Sequence, residues 1–201
     1  MLRDGTIAIA QSITTHLQSA QFHSAPSLKA HQPNAVKGEI QMNNETLGYF
    51  ITWTVYGTFL QGDSRWWSDR DQGTKPPQPL LERWHRDRLK HPVVLLTQRH
   101  RECVEDEIKR MCDYRSWKLW AVSVRTNHVH VVVNASDHSG KQVREQLKAN
   151  CTRVLRKFDR QFVGRPVWTS GGYWTHVNSE DGLEQVIVYT NEAQDRMERG
   201  K

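Results

Sequence analysis

The chain has 201 residues, 37% of them hydrophobic, which is enough for one globular core and does not require two domains. A net charge of +6, a sequence pI near 9.4 and eight tryptophans combine cations that neutralise phosphates with rings that stack on unpaired bases. Cys103, Cys112 and Cys151 are odd in number and widely spaced, which argues against a zinc ribbon or disulfide framework. No apolar run approaches bilayer length and no signal-peptide core opens the chain, so a cytoplasmic protein without a membrane partner is expected.

Residues 1–46 are rich in Ser, Gln, His, Ala and Asn and are interrupted by Pro26 and Pro33. They are expected to be an extension outside the fold, with at most a short helix at 7–19 and with Met42 as an alternative start. Residues 48–56 alternate in hydrophobicity and are rich in β-formers, which predicts a strand. Gly57, Gly62, Asp63, Gly73 and Pro76-Pro77-Gln78-Pro79 make 57–92 mostly loop, with a short helix near 80–90. Trp66, Trp67 and Trp84 within it either pack on the sheet or stack on bases.

A short strand is expected at 93–96, followed by Thr97 as the cap of a helix over 100–114, where Val104, Ile108 and Met111 recur at helical spacing. Residues 117–124 alternate again, Arg125-Thr126-Asn127 forms a turn, and His128–Asn134 returns as the partner strand. Trp53, Trp117 and Trp120 are expected in the core. Gly140–Phe158 has helical period, with Val143, Leu147, Cys151, Val154, Leu155 and Phe158 on one side. Lys141, Arg144, Lys148, Arg153, Arg156 and Lys157 form its outer face, which suits a solvated surface and a DNA track equally. A further strand falls within 168–177, and Ser179 caps a last helix running through Leu183, Val186 and Ile187 to about 195.

Without the loop the order is βαββαβ plus one helix, an α+β fold with a ferredoxin-like antiparallel sheet, helices on one face and an additional C-terminal helix. The expected arrangement is a single domain over 47–197 with an insertion at 57–92.

In Asn127-His128-Val129-His130 the two imidazoles are one residue apart on a strand, so both point to one face while Val129, Val131 and Val133 point to the other. Such a pair can chelate a metal but needs further ligands. The last helix offers Tyr189 and, three residues on and on the same helical face, Glu192. Gln194 is rotated away.

His128-Val129-His130, the run Thr52-Trp53-Thr54-Val55-Tyr56-Gly57-Thr58-Phe59-Leu60-Gln61-Gly62-Asp63, Val167-Trp168-Thr169 and Tyr189 occur together and in order. This set resembles the single-tyrosine HUH transposases, of the REP-associated tyrosine transposase type. The resemblance implies cleavage and rejoining of single-stranded or hairpin DNA through a covalent 5′-phosphotyrosine. Tyr189 would be the nucleophile, and His128 and His130 would be ligands of Mg²⁺ or Mn²⁺. The third ligand is Glu192 by helical spacing or Gln194 by analogy with an amide ligand in some relatives. Candidate DNA contacts are Arg125, Asn127, Lys141, Arg144, Lys148 and Arg153.

Two departures stand out. Thr190-Asn191-Glu192-Ala193-Gln194 follows the tyrosine where such proteins often carry Asn-Pro, and Trp66-Trp67 follows Arg65 where a small residue is expected. They motivate a competing reading, a domesticated hairpin-binding module with weak catalysis. An RNA-binding ferredoxin-like domain ranks third, because its ring-and-glycine signature is missing. Monomer and homodimer both remain open.

Overall fold

A computed structural model of the protein describes residues 46–65, 67–69 and 73–193. The strands are β1 (Gly48–Thr54), β2 (Trp67–Asp69), β3 (Gly73–Lys75), β4 (Lys118–Val124), β5 (His128–Asn134) and β6 (Tyr173–Val177). The helices are α1 (Pro79–Arg86), α2 (Gln98–Arg115), α3 (Gly140–Phe158) and α4 (Glu180–Val188).

β4, β5, β1 and β6 form one antiparallel sheet in that order. With α2 following β1 and its insertion, and α3 lying between β5 and β6, this is the expected ferredoxin-like arrangement with the histidine strand in the interior of the sheet. Ile51, Trp53, Val129, Val131 and Val133 face α2 and α3 and bury with Val104, Ile108, Leu147 and Cys151 in the main core. Phe50, Ala121, Val132 and Val177 bury on the opposite face with Leu183 of α4. The added helix therefore covers the histidine side of the sheet. Trp53 and Trp117 are core residues as expected, and Trp120 packs against the smaller cluster from a bulge between Leu119 and Ala121.

The caps follow the sequence closely. Thr97 Oγ1 accepts the His100 N–H at 3.4 Å while His100 Nδ1 accepts the Thr97 N–H at 3.2 Å, a capping box with histidine in the usual Glu position. Ser139 with Gln142 builds a second box at α3, and Ser179 Oγ accepts the Gly182 N–H at α4.

Three expectations are corrected. Segment 93–96 is not a strand: its Leu96 N–H bonds to Thr126 O at the β4–β5 turn, so the segment meets a turn rather than a strand edge. The 57–92 insertion is more ordered than a loop, because β2 pairs with β3 and α1 follows. Trp67 is buried and donates from Nε1 to Pro76 O at 3.0 Å, whereas Trp84 on α1 is 49% exposed with the Arg88 guanidinium 3.9 Å from its ring centroid. Finally, α4 stops at Val188 and the chain continues as a π-helical turn over Tyr189–Ala193 instead of an α-helix to 195. The expected 1–46 extension up to residue 45, Met42, Trp66 and Gln194 lie outside the described residues.

Candidate active site

β5 presents His128 and His130 on the face covered by α4, with ring centroids 4.8 Å apart. Period-two alternation places them there, since Val129 and Val131 must fill the core on the other side. His128 Nδ1 lies 2.6 Å from Asn127 Oδ1, an acceptor, so Nδ1 carries a proton and donates it to the amide oxygen, which fixes the ring with Nε2 directed elsewhere. His130 is 3% exposed, with its ring stacked on Phe50 at 5.4 Å and 13°. Burial, reinforced by His128 and Arg125 nearby, holds its pKa well below the usual imidazole value, so the ring is neutral. Its Nδ1 is enclosed and has no hydrogen-bond partner.

Tyr189 enters from the end of α4. Its ring meets His130 edge-on at 5.7 Å and Phe50 at 6.0 Å, so the sequence-predicted nucleophile and histidine pair do come together. Glu192 is exposed on the π-helical turn that begins at Tyr189. Among the described residues no three His, Cys, Asp or Glu side chains gather as a metal would require. Two imidazoles on one strand face, the His130 ring neutral and with an enclosed nitrogen that lacks a hydrogen-bond partner, nevertheless form a nitrogen-donor pair of the kind that can hold a divalent metal.

The outer-face reading of α3 needs correction for two residues. Arg144 and Lys148 are buried at 7% and 8% exposure. Arg144 Nη1 donates to Gly172 O at 2.5 Å, and Lys148 Nζ donates to Thr169 O at 2.9 Å and Gly171 O at 2.5 Å. They flank the apolar stripe on the side where the loop 169–172 crosses; its carbonyls accept from both, and Arg144 is also paired with the Glu145 carboxylate at 2.7 Å. Lys141 stays exposed, and Arg153 pairs with the buried Glu107 at 3.0 Å. Arg125 is half-buried beside the histidines, and Asn127 positions His128 while its carbonyl accepts the Val55 N–H at 2.8 Å.

What sequence reasoning missed is the cavity of about 320 Å³ beside β1, lined by Phe59, Trp67, Thr169 and Tyr173 among others. The Gly171-Gly172 doublet was the available signal. Asp63 and Arg65 brace the cavity's outer segment: Arg65 Nε donates to Asp63 Oδ1 at 2.7 Å and Arg65 Nη2 to Thr58 O at 2.7 Å.

Two outcomes follow from this geometry. As pH falls below the ordinary imidazole value of about 6.5, the unfolded chain takes up a proton at position 130 that the folded chain refuses. Stability should be full above that pH and decline below it. Melting temperatures of metal-free protein measured from pH 7.5 downwards should show this, with a flatter profile for His130→Gln. Lys148→Met removes the donor to two carbonyls and should cost about 1–2 kcal/mol in chemical denaturation. An unchanged midpoint would mean that water replaces the ammonium without loss.

The histidine pair and the tyrosine thus share one side of the sheet. The chain belongs to the IS200-like transposases: the family model described as "Transposase IS200 like" matches residues 88–193, a span holding both histidines and Tyr189. Members of this family are transposases that generally use a divalent metal. No curated protein matches the chain. Among solved structures, a protein from Deinococcus radiodurans R1 described as a transposase is 15% identical, covering 77% of this chain and 95% of its own, with a TM-score of 0.43. A REP-associated tyrosine transposase bound to a REP hairpin is 9% identical, covering 79% and 70%, with a TM-score of 0.41. No helix among the described residues is long and apolar enough to cross a membrane.

Proposed function

We propose that the protein is a metal-dependent DNA transposase and endonuclease that cleaves and rejoins single-stranded or hairpin DNA with Tyr189 as the nucleophile. The observation that carries this reading is the Tyr189 ring lying against His130 on the face shared with His128, in a chain of this family. The Tyr189 oxygen forms a bond to phosphorus, the bond from phosphorus to the 3′ oxygen breaks, and the leaving oxygen takes a proton to become a 3′-hydroxyl. The product is a 5′-phosphotyrosine ester that conserves the bond energy. A 3′-hydroxyl of another strand reverses the step without nucleotide hydrolysis.

A phenol of pKa about 10 is a weak nucleophile at neutral pH, so the electrostatics around the phosphate matter. His128 and His130 would hold Mg²⁺ or Mn²⁺, which when bound supplies charge neutralisation at the scissile phosphate. Asn127 fixes the His128 ring, and Phe50 fixes the His130 ring. Glu192 or Gln194 is proposed to complete the ligand set once DNA is bound. Arg125, Lys141 and Arg153 are the cationic side chains proposed to follow the backbone, whereas Arg144 and Lys148 act behind the loop they hold.

The test is incubation of the purified protein with single-stranded hairpin DNA from the flanks of its own gene, with Mg²⁺ or Mn²⁺. A metal-dependent covalent adduct on a denaturing gel is expected. The second reading, a hairpin-binding module without turnover, is motivated by the run Thr190-Asn191-Glu192-Ala193-Gln194 that follows Tyr189. Tight binding with no adduct would establish it instead.

A further inference from the structure

We propose that the cavity between β1, residues 59–61 with Trp67, and the 169–173 loop receives one unpaired nucleobase of the DNA strand beside the scissile phosphate, an inference that rests on the proposed function. The cavity measures about 320 Å³, at the lower end of small-molecule sites. No charged residue lines it, in a protein of net charge +6, so it is not built for a phosphate or a carboxylate. Phe59, Trp67 and Tyr173 bring aromatic surface, while Thr52, Thr54 and Thr169 bring hydroxyls. A flat, uncharged group with hydrogen-bonding edges matches that lining, and a splayed-out base is such a group.

Its position also fits. Thr52 and Thr54 stand directly opposite His130 and His128 in the β1–β5 register, so the cavity opens about one strand spacing, ~4.8 Å, from the histidine row. A nucleotide adjoining the phosphate at the histidines reaches it without leaving the strand it belongs to.

The walls are fixed in advance. On one side Arg144 and Lys148 spend buried charges on the carbonyls of Thr169, Gly171 and Gly172. On the other, Trp67 is tied to Pro76, and the Asp63–Arg65 pair, with the guanidinium 5.4 Å from the Phe59 ring centroid, holds the approach. Rigid walls lower the ordering cost of binding and favour selectivity for one base shape.

The experiment uses the hairpin strand described above, with an abasic site placed in turn at each unpaired position around the cleavage point. Affinity is read by fluorescence anisotropy and chemistry by the covalent adduct. Loss of one particular base should weaken binding by about ten- to a hundredfold, the range for a stacked base. Ser170→Trp, which fills the mouth from an exposed loop position, should bind intact DNA as weakly as the wild type binds that abasic strand. It should lose nothing more at that abasic position. Independently of any variant, 2-aminopurine at that position should be quenched on binding.

Adduct formation with no base-dependent position, or an abasic penalty retained in Ser170→Trp, would overturn the pocket alone. Base-dependent binding without an adduct would overturn the Tyr189 chemistry and leave the pocket standing. Absence of single-strand binding would overturn both.

Discussion

Tyr189→Phe is expected to abolish the covalent DNA adduct while leaving DNA affinity within about a factor of two, since phosphate and stacking contacts supply the binding. The substitution removes one oxygen and keeps the ring that packs edge-on against Phe50 and His130. Deleting a covalent nucleophile elsewhere costs on the order of 10⁶ in rate, and the adjacent hydroxyl is not free to substitute: Thr190 is buried and its Oγ1 donates to Val186 O at 2.7 Å. Cleavage should therefore fall below detection on a denaturing gel, with the folded state intact by circular dichroism. Residual cleavage with a 5′-linked protein would place the nucleophile on another residue. His128→Ala should give the same loss of adduct by a different route, through the metal. Together the two variants separate the nucleophile from the electrostatics around it.

Much of the scaffold was legible because its signals are local. The valine alternation marked β5, and Thr97 and Ser179 marked the starts of α2 and α4, features that a few neighbouring residues decide. The histidine pair was legible for the same reason: strand period alone forces both rings to one face. Other features depend on partners far along the chain. Arg144 and Lys148 look like surface cations from helical period, yet they are buried, because carbonyls 21 to 28 residues away bend over them. The π-helical turn over Tyr189–Ala193 has no sequence signature of its own, which is why the last helix was expected to run on as an α-helix to about 195. The order within the 57–92 insertion was hidden similarly, since the Trp67 bond to Pro76 closes a turn whose proline-rich composition reads as loop.

Gly172→Ala should cost about 3 kcal/mol of stability. Its φ of +125° lies where L-residues rarely go, and a Cβ there would come within 2.8 Å of Thr52 O and 3.1 Å of both Arg144 Cδ and Trp53 Cβ. Thr52 cannot retreat, because it sits in β1 with His130 on one side and Tyr173 on the other. Arg144 can shift only by disturbing its own bond to Gly172 O. Gly171→Ala is the internal comparison: at φ +77° a Cβ meets nothing within 4 Å, so only the left-handed backbone cost of about 1–2 kcal/mol remains. Urea denaturation of the two variants measures the difference directly. A Gly172 penalty clearly larger than the Gly171 penalty means that the loop is pressed onto the strand carrying Thr52, which keeps the cavity wall one strand away from the histidines. Equal penalties would mean that the loop stands off β1, and a base could not be gripped between them.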